Sequence, residues 1–103
     1  MLDKYVNENK LFIEYLQVEK NASPNTINSY QNDLDIFFSF LKQEAIAQLS
    51  QVDHQFIRLF LTELYEKQLS RRTVSRMISS LRGFFNFLER ENILSMNPFT
   101  QIV

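Results

Sequence analysis

The 103-residue chain has no cysteine, no tryptophan, a single glycine and two prolines. Without cysteine there is no disulfide framework and no thiolate metal site, which fits a reducing cytoplasm. So few turn residues argue against a turn-rich all-β fold, which needs many tight turns. No apolar run approaches transmembrane length, and the opening MLDKYVNENK is not that of a signal peptide. Net charge is nearly absent as well, with 11 basic against 12 acidic residues for a formal −1. These absences lead to the expectation of a soluble cytoplasmic domain. Its length suffices for one hydrophobic core but not two.

What the chain does have is phenylalanine, ten of them, and apolar residues at helical spacing. Four helices are expected, near 3–20, 24–43, 54–67 and 71–91. Asp3 is placed to cap the first, with Tyr5, Ile13 and Leu16 facing inward. Ser23 followed by Pro24 is a start signal for the second, whose stripe is Ile27, Tyr30, Leu34, Phe37, Phe38 and Leu41. Asp53 caps the third, with Ile57, Phe60, Leu61 and Leu64 turned in. Ser70 caps the fourth, with Val74, Met77, Ile78, Leu81, Phe85 and Leu88. Asn92 is expected to stop it, and Asn97-Pro98 to mark an extended exit. The fold class that follows is all-α.

Charge is distributed unevenly along this pattern. Residues 1–66 hold five basic and ten acidic side chains, for −5; residues 67–88 hold Lys67, Arg71, Arg72, Arg76 and Arg82 with no acid, for +5. At about 100° per residue, Arg72, Arg76, Ser79, Gly83, Asn86 and Arg90 fall roughly opposite the apolar stripe of helix four, flanked by Arg71, Ser75 and Arg82. On helix two, Asn25, Ser29 and Asn32 lie away from Tyr30 and Leu34, with Asn28 alongside. Arginine offers a planar donor fork and Ser, Thr and Asn are short hydrogen-bonding groups, a set suited to phosphate oxygens and base edges. A dipolar domain of this kind presents one face to a polyanion. Gly83 costs about 1 kcal/mol against alanine inside a helix, and on an outward face its bare Cα would admit another backbone.

Other chemistry is poorly represented. His54 is the only histidine, so no metal or catalytic site is expected around it. Asp33 and Asp35 lie on different helical faces, and Asp33 is read as supporting the structure or a nearby arginine. Tyr30 belongs to the apolar stripe, and Tyr5, Tyr15 and Tyr65 have no evident activating neighbour. Phe12, Phe37, Phe38, Phe84 and Phe87 are read as packing residues rather than a base-stacking platform.

Two stretches carry a resemblance. SPNTINSYQNDLDIFFSFL (23–41) has the pattern S-x-x-T-x-x-x-Y-x-x-D-L through Ser23, Thr26, Tyr30, Asp33 and Leu34. LSRRTVSRMISSLRGFFNFLERENILSMNP (69–98) has L-S-x-x-T…R…S-x-L-R-x-F-F…N-P through Leu69, Ser70, Thr73, Arg76, Ser79, Leu81, Arg82, Phe84, Phe85, Asn97 and Pro98. Together they resemble the N-terminal core-binding domain of tyrosine recombinases, the phage-integrase family, nearest the bacterial XerC/XerD type. The resemblance spans essentially residues 1–103. It implies a four-to-five-helix SAM-like bundle of two crossed helical hairpins, with helices two and four against the major groove of duplex DNA. The DNA-binding residues it favours are Asn25, Thr26, Ser29, Arg71, Arg72, Arg76, Ser79, Arg82 and Gly83. It further implies a second, catalytic domain outside these residues, carrying Arg, His and Tyr and cutting DNA through a 3′-phosphotyrosyl intermediate with neither metal nor nucleotide. No cofactor and no catalytic residue is therefore expected within the 103 residues. The implied partners are the recombination site and other recombinase protomers, four to a DNA assembly, in DNA integration or chromosome dimer resolution. The acidic charge of residues 1–66 implies weak DNA binding by this piece alone. An alternative reading is a helical protein-interaction module whose basic face meets an acidic partner.

Overall fold

The computed structural model describes residues 5–100. Four α-helices follow one another: α1 (Val6–Val18), α2 (Pro24–Gln43), α3 (His54–Glu66) and α4 (Arg71–Arg90), with a single 3-10 turn at Leu49–Gln51 between α2 and α3. Among the described residues there is no strand, so the all-α expectation is met.

Three of the four helix starts are those read from the sequence, and the cause is local. The Ser23 hydroxyl accepts from Thr26 N–H, Ser70 from Thr73 N–H and Asp53 from Phe56 N–H, each filling one of the orphan donors of a first turn. The first start differs. Asp3 lies outside the described residues, and α1 begins at Val6 with Tyr5 at the cap position and no side-chain cap bond. Tyr5 is instead drawn inward: its ring stacks on Phe38 and its hydroxyl donates to the Ile46 carbonyl.

Helix ends are made without glycine. Asn21, Ala45, Gln68 and Asn92 all take positive φ, between 48° and 60°. Behind α2, Ala45 N–H donates to Lys42 and Ile46 N–H to Leu41; behind α4, Asn92 and Ile93 repeat this with Glu89 and Leu88. These are Schellman closures. Asn92 is thus the stop expected for α4.

The core is aromatic, which is how so short a chain buries enough area. Phe37 of α2 meets Phe56 and Phe60 of α3 and Phe85 of α4, while Phe12 of α1 meets Tyr30, Phe84 and Phe87. The stripes of α2, α3 and α4 face inward as expected, with Ile27, Tyr30, Leu61 and Ile78 at the half-buried margin. Phe40, Phe84 and Phe87 join them, and α4 is buried over the wide arc of a central helix. Register between the long helices follows from two contacts. Asp33 bonds Arg76 and Ser80, whereas Tyr30, earlier on α2, lies against Gly83, later on α4. The two helices therefore run antiparallel.

The exit is not extended. Asn97, Pro98 and Phe99 are buried, Thr100 N–H donates to the Asn97 carbonyl, and the Phe99 ring packs 5.8 Å from Phe85. Proline's restriction of the preceding residue is satisfied in a turn as well as in a strand, and burial of Phe99 selects the turn.

Candidate nucleic-acid interface

Antiparallel packing spreads the candidate residues along a strip. Thr26, near the start of α2, lines the same groove as Gly83, Asn86 and Arg90, in the later half of α4. Arg71 and Arg72 lie at the other end of α4, with Arg72 about 20 Å from Asn86 at 1.5 Å per residue. Asn25, Thr26, Ser29, Arg71, Arg72, Arg76 and Ser79 are exposed, and Arg82 and Gly83 half-buried. Arg72, Ser79 and Asn86, seven residues apart, form one exposed line along α4.

The cations on this strip are not equivalent. Among the described residues Arg71 and Arg72 make no ion pair, and both sit in the first turn of α4. There the helix macrodipole favours acids and opposes a cation by about 0.3–1 kcal/mol. No acid accompanies them. Farther along, Arg90 is held by Glu91 at 3.1 Å and Glu19 at 3.8 Å, and its guanidinium lies 4.6 Å over the Tyr15 ring. Tyr15 thus has the charged neighbour that the sequence did not reveal. Lys67 pairs with Glu63 at 3.6 Å. Arg82 lies over the Phe99 ring at 5.6 Å.

Arg76 is the most constrained. Its Nη2 donates to Asp33 Oδ1 at 2.8 Å and its Nε to Oδ2 at 3.3 Å, while the Ser80 hydroxyl donates to Oδ2 at 2.7 Å. The Asp33 side chain is 0% exposed, that of Arg76 54%. These hydrogen bonds, reinforced by the carboxylate charge, raise the Arg76 pKa above its ordinary value. Asp33 is a structural carboxylate serving an arginine, in keeping with its reading from the sequence as support for the structure or a nearby arginine.

Gly83 is not on an open outward face. A Cβ built there would meet Tyr30 Cε1 at 3.6 Å and Phe12 Cζ at 3.9 Å, so the residue sits where α4 passes α1 and α2. Helical spacing placed it opposite one stripe, but α4 packs on more than one side. The groove at this point, about 480 Å³, is bordered by Tyr15, Tyr30, Phe87, Lys20 and Arg90. Asn86 accepts from the Asn97 amide at 2.6 Å. This bond and the Arg82–Phe99 stack had no signal in helical periodicity, because both partners follow the end of α4. His54 stands in the first turn of α3, and among the described residues no group of three His, Cys, Asp or Glu side chains could hold a metal ion.

Residues 10–92 match the phage integrase N-terminal SAM-like domain family. The chain belongs to that family. Among curated relatives, the tyrosine recombinase XerC of Oceanobacillus iheyensis is 55% identical over 91 residues, covering 88% of this chain and 30% of the relative. That of Anoxybacillus flavithermus is 54% identical over 89 residues, 86% of this chain and 30% of its own length. That of Bacillus subtilis is 50% identical over 90 residues, 87% and 30%. The phage integrase domain described here thus spans about 30% of the length of these relatives. No solved structure shows significant similarity to it. Among the described residues of this SAM-like domain no helix is long and apolar enough to cross a membrane.

Proposed function

We propose that this SAM-like domain, taken as residues 1–103, binds duplex DNA along the exposed strip of α4 and the start of α2. It is the DNA-clamping part of a site-specific tyrosine recombinase of XerC type. One observation carries the reading: Arg71 and Arg72 stand unpaired, with no acid, in the first turn of α4. The fold gains nothing from cations there, whereas a DNA phosphate meets both the arginines and the free N–H groups of a helix start. Asn25, Thr26 and Ser29 on α2, and Ser79 and Arg82 on α4, supply further contacts, mainly to phosphates. Gly83 contributes by keeping the groove between α2 and α4 open. Within the whole protein this domain works in the cytoplasm beside a catalytic domain that breaks and rejoins DNA, in a tetramer of recombinase protomers on the recombination site. DNA integration and chromosome dimer resolution are the processes such strand exchange serves.

Fluorescence anisotropy of the chain with a labelled duplex of random sequence tests the binding. Counterion release makes log K fall linearly with log salt, by about 0.9 for each phosphate neutralised, so a slope of about −2 to −4 is expected. Binding that is absent at low salt, or indifferent to salt, overturns the reading.

A further inference from the structure

From the Asp33–Arg76–Ser80 geometry we infer that Asp33 and Ser80 are positioning residues. They hold the Arg76 guanidinium at the seam of α2 and α4 so that its remaining donor edge is presented to a bidentate acceptor on duplex DNA. The inference rests on the DNA-binding reading and assigns a role to two residues that touch no DNA themselves.

The argument begins with donors. A guanidinium has five N–H groups in a planar fork. Asp33 takes one from Nε and one from Nη2, which leaves three, two of them on the edge formed by Nη1 and Nη2. That edge has the geometry to meet paired acceptors, either guanine O6 and N7 or two phosphate oxygens. With over half of its side chain exposed, Arg76 is only anchored by Asp33, not sequestered. Ser80, buried on the next turn of α4, donates to the same carboxylate and fixes its rotation. A long flexible side chain is thereby ordered before DNA arrives, so association loses less rotamer freedom. A buried carboxylate is a poor device for stability alone, since an apolar residue of similar volume is often as good.

Asp33→Asn in the chain separates this from a purely structural or purely electrostatic role, because the signs differ. Removing a negative charge near a DNA-binding strip, by itself, tightens binding and steepens the salt slope. Loss of positioning instead weakens binding, by about three- to tenfold, with little change of slope. The positioning role also requires that Asp33→Asn cause no weakening in an Arg76→Ala background, where only the electrostatic effect is left. Ser80→Ala is expected to act in the same direction, more weakly. Duplexes with each base pair substituted in turn distinguish the acceptor. If it is a guanine, Asp33→Asn flattens preference at one position; if a phosphate, the loss is equal on every duplex. Should Asp33→Asn fail to fold, as read by circular dichroism, the wild-type chain still decides. Nitrogen-15 spectra should show an Arg76 Nε–H slow to exchange with water and slow rotation about Nε–Cζ, in contrast to Arg72. Tighter binding by Asp33→Asn, equal effects in both backgrounds, or a freely rotating Arg76 overturns the inference while leaving DNA binding by the chain intact. Failure of the wild-type chain to bind any duplex removes the binding reading itself.

Discussion

The Asn97 side-chain amide donates to Asn86 Oδ1 at 2.6 Å, and its own Oδ1 accepts from Phe99 N–H at 2.9 Å. One buried side chain therefore ties the segment after α4 to the helix and shapes the turn that seats Phe99 against Phe85.

Asn97→Ala removes both bonds and leaves the Phe99 N–H without its acceptor. At about 0.5–1.5 kcal/mol net for each hydrogen bond, the expected loss is about 1–3 kcal/mol. In a domain of this size each kcal/mol moves the melting temperature by about 4–8 °C. A thermal melt followed by circular dichroism checks this, and a melt unchanged from wild type contradicts it.

Gly83 separates two roles that the sequence alone merged. A Cβ at this position meets Tyr30 at 3.6 Å, an ordinary contact distance, and the φ is negative. Gly83→Ala should therefore gain most of the about 1 kcal/mol of helix propensity and raise the melting temperature. If the open groove matters for DNA, the same variant binds the duplex less tightly although it is more stable. Gly83→Glu, with a charge and a long side chain at the same point, should bind none. Both variants binding as wild type would confine Gly83 to helix packing.

Ala45 holds φ at 59° in the Schellman closure of α2, a conformation that costs a residue with a Cβ about 1–2 kcal/mol. Ala45→Gly relieves this, though the unfolded chain gains freedom, so a net gain of about 0.5–1 kcal/mol is expected. Chemical denaturation should show a higher midpoint at unchanged slope.

How much of this was legible in advance depended on the range of the interaction. Ser23, Asp53 and Ser70 each bond an N–H three residues away, so the helix starts could be read from adjacent residues. The stripe of α2 and the main stripe of α4 follow from helical spacing, whereas the second side on which α4 packs, at Gly83, does not. What could not be read is where two helices meet. Nothing in the spacing of α4 distinguishes Arg72 from Arg76, yet one is exposed and unpaired and the other is anchored to a carboxylate 43 residues earlier in the chain. Likewise Asn97-Pro98 is compatible with strand or turn, and only the pocket for Phe99 decides. Asp33 was read in advance as supporting the structure or a nearby arginine, but nothing local said that the arginine is Arg76.

Arg72 and Arg76 therefore give the most discriminating pair of substitutions. Periodicity treats them alike and expects both alanine variants to weaken DNA binding at unchanged stability. The structure divides them. Arg72→Ala removes an exposed cation opposed by the α4 macrodipole, so stability should hold within about 0.5 kcal/mol or rise slightly. Its DNA affinity should fall, with the salt slope reduced by about one. Arg76→Ala strands the Asp33 carboxylate with Ser80 as its remaining hydrogen-bond donor. A buried acceptor deprived of its partner costs about 1–3 kcal/mol, and the half-exposure of Arg76 lets water reach the site and keeps the loss toward the lower end. Parallel melts and salt titrations of the two variants check this. Equal melting temperatures would mean that the Asp33–Arg76 bond adds nothing to the fold. An unchanged salt slope in Arg72→Ala would mean that this arginine meets no phosphate.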